Sequence, residues 1–126
     1  MNLFVYGILK RGFPADLTQH GATFLGKATI KGAKLLKINE GVGLRWSDDP
    51  LEVVHGEIFA IPDTLWTWLD AIEANGEVYT RGPAMARRGM GFANVGDLIS
   101  VQVYVHTYFA KAKYETMEKY EGGIYK

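Results

Sequence analysis

The chain has 126 residues, 48% hydrophobic and 22% charged, which excludes a disordered or collagen-like polypeptide and suffices for a single domain over 1–126 with its own core. Fourteen Lys and Arg balance fourteen Asp and Glu, so the basic excess of a phosphate-backbone binder is missing and no nucleic-acid partner is expected. The absence of cysteine removes disulfides, thiolate nucleophiles, zinc–cysteine sites and iron–sulfur clusters.

No apolar run reaches the ~18 residues of a membrane span, and Met1–Tyr6 has no signal-peptide layout. A cytoplasmic chain without a membrane partner is the expectation. Oligomeric state is not legible. Leu3 to Tyr6 is β-prone and stops at Gly7, which predicts a strand over 2–7. Gly12, Phe13 and Pro14 break the chain, and Pro14 is placed to open a short helix. Thr23–Lys31 and Ala33–Ile38 read as strands split by Gly32. Gly41–Trp46 reads as a glycine-rich strand or loop, and Asp48-Asp49-Pro50 as a turn. Leu51–Ile61 reads as a longer strand with a bulge at Gly56.

The clearest helix follows Pro62, with Asp63 or Thr64 as its cap. Leu65, Trp68, Leu69 and Ile72 fall at i, i+3, i+4 and i+7 and predict one buried stripe, and Asn75-Gly76 ends the helix. Val78–Arg88 reads as a strand, Gly89–Gly91 as a turn and Phe92–Val95 as a short strand. In the last strand, Leu98–Phe109, the odd positions Ile99, Val101, Val103 and Val105 form an apolar face. The even positions, including Tyr104 and His106, form a polar-aromatic one. Lys111–Lys119 reads as a short helix. Strands dominate, so the expected fold is α+β: a small mixed-strand β-barrel with one main helix and short flanking helices.

Glu73 is the leading candidate for chemistry. With Leu65 at zero and roughly 100° per residue, Leu69 lies near 40°, Glu73 near 80° and Trp66 near 100°. The carboxylate therefore sits between two large apolar side chains, in the last turn, where the helix dipole disfavours negative charge. Both effects push a carboxyl pKa upward, toward the value a general acid/base needs near neutral pH. The alternative is a helix-end Glu that reaches water or pairs with Arg81. Tyr6-Gly7-Ile8-Leu9 is a strand running into a tight turn, whose free N–H groups can hold a carboxylate; a plain strand-to-loop turn is the other reading. Tyr79 and Arg81 share a strand face by alternation, and the Tyr hydroxyl can orient a carboxylate or donate to an oxyanion. His20, His55 and His106 are far apart in sequence, so no metal site is expected.

In order, these pieces resemble the γ-glutamylcyclotransferase-like (AIG2-like) superfamily, whose members carry Y-G-[ST]-L, V-x-G-E-hydrophobic, L-D-x-x-E and Y-x-R. The counterparts are Tyr6-Gly7-Ile8-Leu9, Val54-His55-Gly56-Glu57-Ile58, Leu69-Asp70-Ala71-Ile72-Glu73 and Tyr79-Thr80-Arg81. The resemblance implies that a γ-glutamyl amine or peptide is cyclised to 5-oxoproline with release of the amine, without cofactor or metal. It implies Glu73 as the catalytic group, the Tyr6–Leu9 turn as the substrate α-carboxylate site, and Tyr79 beside the cavity. Ile8 stands where the family has Ser or Thr, and Ala74-Asn75-Gly76 replaces its common immediate Gly. The alternative is a non-catalytic small-metabolite-binding or inhibitory module using the same cavity, which a blocked pocket would favour.

Overall fold

The computed structural model describes residues 1–39 and 41–126. Seven strands form one sheet: β1 (Asn2–Val5), β2 (Thr23–Lys31), β3 (Ala33–Ile38), β4 (Gly41–Trp46), β5 (Val53–Ala60), β6 (Tyr79–Arg88) and β7 (Leu98–His106). Their order is β1-β5-β2-β6-β7-β4-β3, and a further β1–β7 pairing closes five of them into a barrel. The closure is parallel, at Leu3 opposite Gln102, and β4 also meets β7 in parallel, at Leu44 opposite Val105. The remaining pairs are antiparallel, so the barrel is mixed, as expected.

Alternation along β1 divides the core. Phe4 and Tyr6 point into the barrel, against Ile30, Leu44, Ile58 and Val103. Leu3 and Val5 point outward, against Phe59, Trp66, Leu69 and Tyr104, where the main helix α1 (Trp66–Ile72) covers the sheet. A third cluster joins Leu36 and Ile38 of β3 to Tyr114 of α2 (Lys111–Tyr114).

Several local expectations are corrected. The first strand ends at Val5, not Gly7. Pro14 opens no helix; a 3-10 turn forms at Leu17–His20 instead, capped by Asp16, which accepts from Thr18 N at 2.9 Å. Gly56 is not a bulge: it pairs in register with Ala28, and the irregularity lies between Phe24 and Gly26. Gly56 is required because a Cβ there would strike the Val5 carbonyl and lie 2.6 Å from the Phe4 ring. Neither Asp63 nor Thr64 caps α1; a 3-10 turn, Asp63–Leu65, leads into it behind Pro62 with no side-chain cap.

The predicted helix stripe is also rotated. Leu69 and Trp66 are buried, but Trp68 and Ile72 are 37% and 48% exposed. The helix is only two turns long and packs through a narrow face, and Trp68 stacks on His20, ring centroids 4.4 Å apart. Phe92–Val95 is a turn rather than a strand: glycines on both sides let the chain fold back, and the Phe92 ring fills the space a Gly26 side chain would take. The last strand stops at His106, and the helix begun at Lys111 stops at Tyr114. On β7 the even positions Tyr104 and His106 are buried too, because α1 and α2 cover the face that alternation marks as polar.

Candidate active site

The Tyr6–Leu9 turn leaves β1 at one end of the barrel. Tyr6 is buried, and its hydroxyl donates to the Tyr104 carbonyl at 2.6 Å. Burial, and then the negative charge available to Tyr79 and Glu73, raise its phenol well above the ordinary tyrosine range. A Cβ on Gly7 would lie 2.8 Å from Val42 Cγ1, so only Gly lets the turn pass this close to β4. The turn's carbonyls are used: Gly7 O accepts from Lys10 N, Ile8 O from Ala15 N and Leu9 O from Leu17 N. The N–H groups of Gly7, Ile8 and Leu9 have no acceptor among the described residues.

Gly7, Ile8 and Leu9 belong to the wall of a cavity of about 320 Å³. Phe4, Val5 and Ala15 continue that wall, Gly41 and Val42 of β4 and Ile72 and Glu73 of the helix end form another side, and Tyr79, Tyr104 and Tyr125 complete it. Glu73 is the only charged side chain among these residues. Its N–H still bonds to the helix, at Leu69 O, 3.1 Å away. Its carboxylate has no hydrogen bond or ion pair among the described residues, and burial pushes it from 4.5 up to about 7.

Arg81 does not serve Glu73. It grips Asp70, one helical turn earlier, through Nε to Oδ1 at 2.9 Å and Nη2 to Oδ2 at 3.1 Å. Tyr104 Oη donates to the same Asp70 Oδ1 at 2.6 Å. Burial tends to raise the Asp70 carboxyl, but these donors and the Arg81 charge outweigh it and hold the carboxyl below its ordinary value. Arg81 N also donates to Asn75 Oδ1 at 2.8 Å, and its guanidinium lies 4.6 Å from the Trp66 ring centre. The helix end is thus tied to β6 and β7 at Asp70 and Asn75, while Glu73 between them stays unbonded.

Tyr79 lines the cavity, but its hydroxyl proton is committed to the Val42 carbonyl at 2.7 Å, and its ring rests against His106. Burial, then Glu73 and Tyr114, push its phenol up to about 12. A role as oxyanion donor, as the sequence suggested, does not fit this bond. Ile8 is half exposed beside the cavity, and Tyr125 reaches it from the C-terminal tail. Two features were missed in the sequence. One is the Gly41-Val42 wall, for which the glycine-rich strand was the only signal. The other is the Asp70 clamp, whose partners lie 11 and 34 residues away with no shared periodicity. Among the described residues no three His, Asp or Glu side chains gather as a metal site.

A family model described as gamma-glutamyl cyclotransferase, AIG2-like matches residues 3–126. The chain belongs to this family. Solved structures agree on the fold of this AIG2-like chain. An AIG2-like protein from Mus musculus superposes with a TM-score of 0.81 at 23% identity, over 99% of this chain and 87% of that one. A gamma-glutamyl cyclotransferase superposes with a TM-score of 0.68 at 16% identity, over 94% and 69% of the two chains. The protein ytfP from Escherichia coli gives 0.65 at 24% identity, over 99% and 96%. No curated protein matches the sequence. Among the described residues no helix is long and apolar enough to cross a membrane.

Proposed function

We propose that this AIG2-like chain is a cyclotransferase that converts a small γ-glutamyl amine or peptide to 5-oxoproline and the free amine, working as one domain in the cytoplasm. The observation that carries the reading is Glu73: an unpaired, half-buried carboxyl raised to about 7, lining one cavity with Gly7, Ile8 and Leu9, whose N–H groups lack acceptors among the described residues. The Gly7, Ile8 and Leu9 N–H groups take the substrate's α-carboxylate, a role that needs no side-chain hydroxyl and so survives Ile8. Glu73, ionised, removes a proton from the α-ammonium. The freed amine attacks the γ-carbonyl carbon, the tetrahedral intermediate collapses as Glu73 returns that proton to the departing nitrogen, and the second proton the ring nitrogen must shed passes through the Glu73 carboxylate to the amine, which leaves as an ammonium. The C–N bond formed closes the five-membered lactam, and the C–N bond broken releases the amine. The nucleophile is part of the substrate, so the chain's task is to hold a folded conformer and shuttle protons from the attacking to the departing nitrogen. Tyr79 and Tyr104 wall the site and exclude water.

A binding-only module was the competing reading, favoured by a blocked pocket. Ile8 and Tyr125 stand in the wall of an open cavity and do not block it, so turnover in the Glu73 comparison separates the two readings. The test is mass spectrometry of 5-oxoproline after incubation with γ-glutamyl amines, γ-glutamyl dipeptides and glutathione. Product from the parent chain is expected, and a drop of about 10²- to 10⁴-fold in Glu73→Gln. Equal product from both proteins, or none from the folded parent across the panel, would overturn the reading.

A further inference from the structure

On another side of the barrel, where β2, β5 and the end of β6 meet, lies a second cavity of about 430 Å³. It shares no lining residue with the first. Lys10, Lys27, Arg87 and Arg88 line it, against the single carboxylate Glu57. A chain with no net charge thus places four of its fourteen cations, and one of its fourteen carboxylates, around one concavity. None of the four sits in a salt bridge among the described residues. Glu57, one of whose oxygens accepts from Arg11 N at 2.6 Å, can offset only one of the four positive charges.

The cations are held rather than loose. Lys10 is 94% buried, and its ammonium makes one hydrogen bond, to Tyr125 O at 2.8 Å, leaving two of its three donors unused. Arg88 donates Nη1 to Leu98 O at 3.1 Å, and Arg87 donates Nη1 to Gly96 O. Each of these bonds uses one of a guanidinium's five donors and fixes its plane. Reciprocal bonds of 2.8 Å, Lys27 N to Met90 O and Gly89 N to Lys27 O, bind the hairpin that carries the arginines to β2. Concentrated, unpaired positive charge on anchored forks suits a phosphate, whose oxygens accept from several donors at once. The one aromatic ring among the lining residues is the His55 imidazole, whereas Met90, Val95 and Ile124 together offer an apolar rim suited to an aliphatic body.

We propose that this cavity is a second ligand site, for a small phosphate- or diphosphate-bearing molecule with an aliphatic body. The inference is independent of catalysis at Glu73. It is tested by titrating the ¹⁵N-labelled full chain with inorganic pyrophosphate at low salt, with sodium chloride at matched ionic strength as control. Saturable amide shifts are expected at Lys27, Gly56 and Arg87–Gly89, without shifts at Gly7–Leu9. The exposed pair Lys27→Gln and Arg87→Gln should weaken binding about tenfold or more while leaving the melting temperature unchanged. If the double variant folds poorly, Lys27→Gln alone provides the comparison. No saturable shift, shifts confined to Gly7–Leu9, an equal response to chloride, or undiminished affinity in the variants would overturn the proposal.

Discussion

Replacing Glu73 by Gln keeps the side chain's shape and removes its charge, and the structure fixes how that changes stability with pH. In the unfolded chain the carboxyl loses its proton near 4.5; in the fold it keeps it to about 7. The folded state therefore binds more protons between those values, and stability falls as pH rises through that window. The contribution is fully present below 4.5 and is lost above 7. Holding the carboxylate in place at pH 8 costs the parent about 3 kcal/mol, and at pH 5 under about 1 kcal/mol. Gln pays neither, and any constant cost of its amide is the same at every pH. Urea unfolding followed by tryptophan fluorescence at pH 5, 6, 7 and 8 measures the difference between the two proteins. The Glu73→Gln advantage should grow by about 2–3 kcal/mol from pH 5 to pH 8. Parallel stability curves would refute the reasoning, because they would place the Glu73 carboxyl in water. The same ionisation governs the proposed chemistry, so kcat/KM should rise with pH through about 7, a limb absent from a solvated Glu.

Asp70→Ala leaves the Arg81 guanidinium and the Tyr104 hydroxyl without their acceptor and should cost about 1–3 kcal/mol by urea unfolding. A loss within error would show the clamp to be decorative. Gly56→Ala sets a Cβ against the Val5 carbonyl and the Phe4 ring and should destabilise by about 1–3 kcal/mol, read by thermal melting. An unchanged melting temperature would contradict the packing. Ile8→Thr changes a half-exposed side chain and should stay within about 0.5 kcal/mol of the parent, with 5-oxoproline output retained. Failure to fold would mean Ile8 is core.

Much of the fold was legible because the strands alternate and glycines punctuate them. Helical spacing marked Glu73 as a partly buried carboxyl with a raised pKa, and the structure shows it half-buried with that shift, although the stripe itself was drawn through Trp68 and Ile72. Periodicity marks which residues are able to be buried; the partner element decides which of them are. Val103 and Tyr104 on β7 make the same point: both faces are buried once α1 lies over one of them. The freedom of Glu73 from Arg81 was not legible. Residues 73 and 81 are as plausible a pair as 70 and 81 until β6 fixes where the guanidinium reaches. Gly56 was misassigned because a Gly inside a strand signals either a bulge or a close approach, and only the Phe4 ring distinguishes them.

The two parallel contacts on β7 carry a consequence of their own. β1 meets β7 at Gln102 and β4 meets it at Val105, both on the edge that β6 does not use. Continued in register, β1 would bring Tyr6 opposite Val105, the place Leu44 already holds. One edge is handed from one strand to another midway, and the displaced strand must leave the sheet. The residues it carries away, Gly7 to Leu9, are the ones whose N–H groups lack acceptors. The run of unpaired N–H groups is therefore built into the connectivity, and a mutation that lengthened β1 along β7 would pair them without touching a side chain in the cavity.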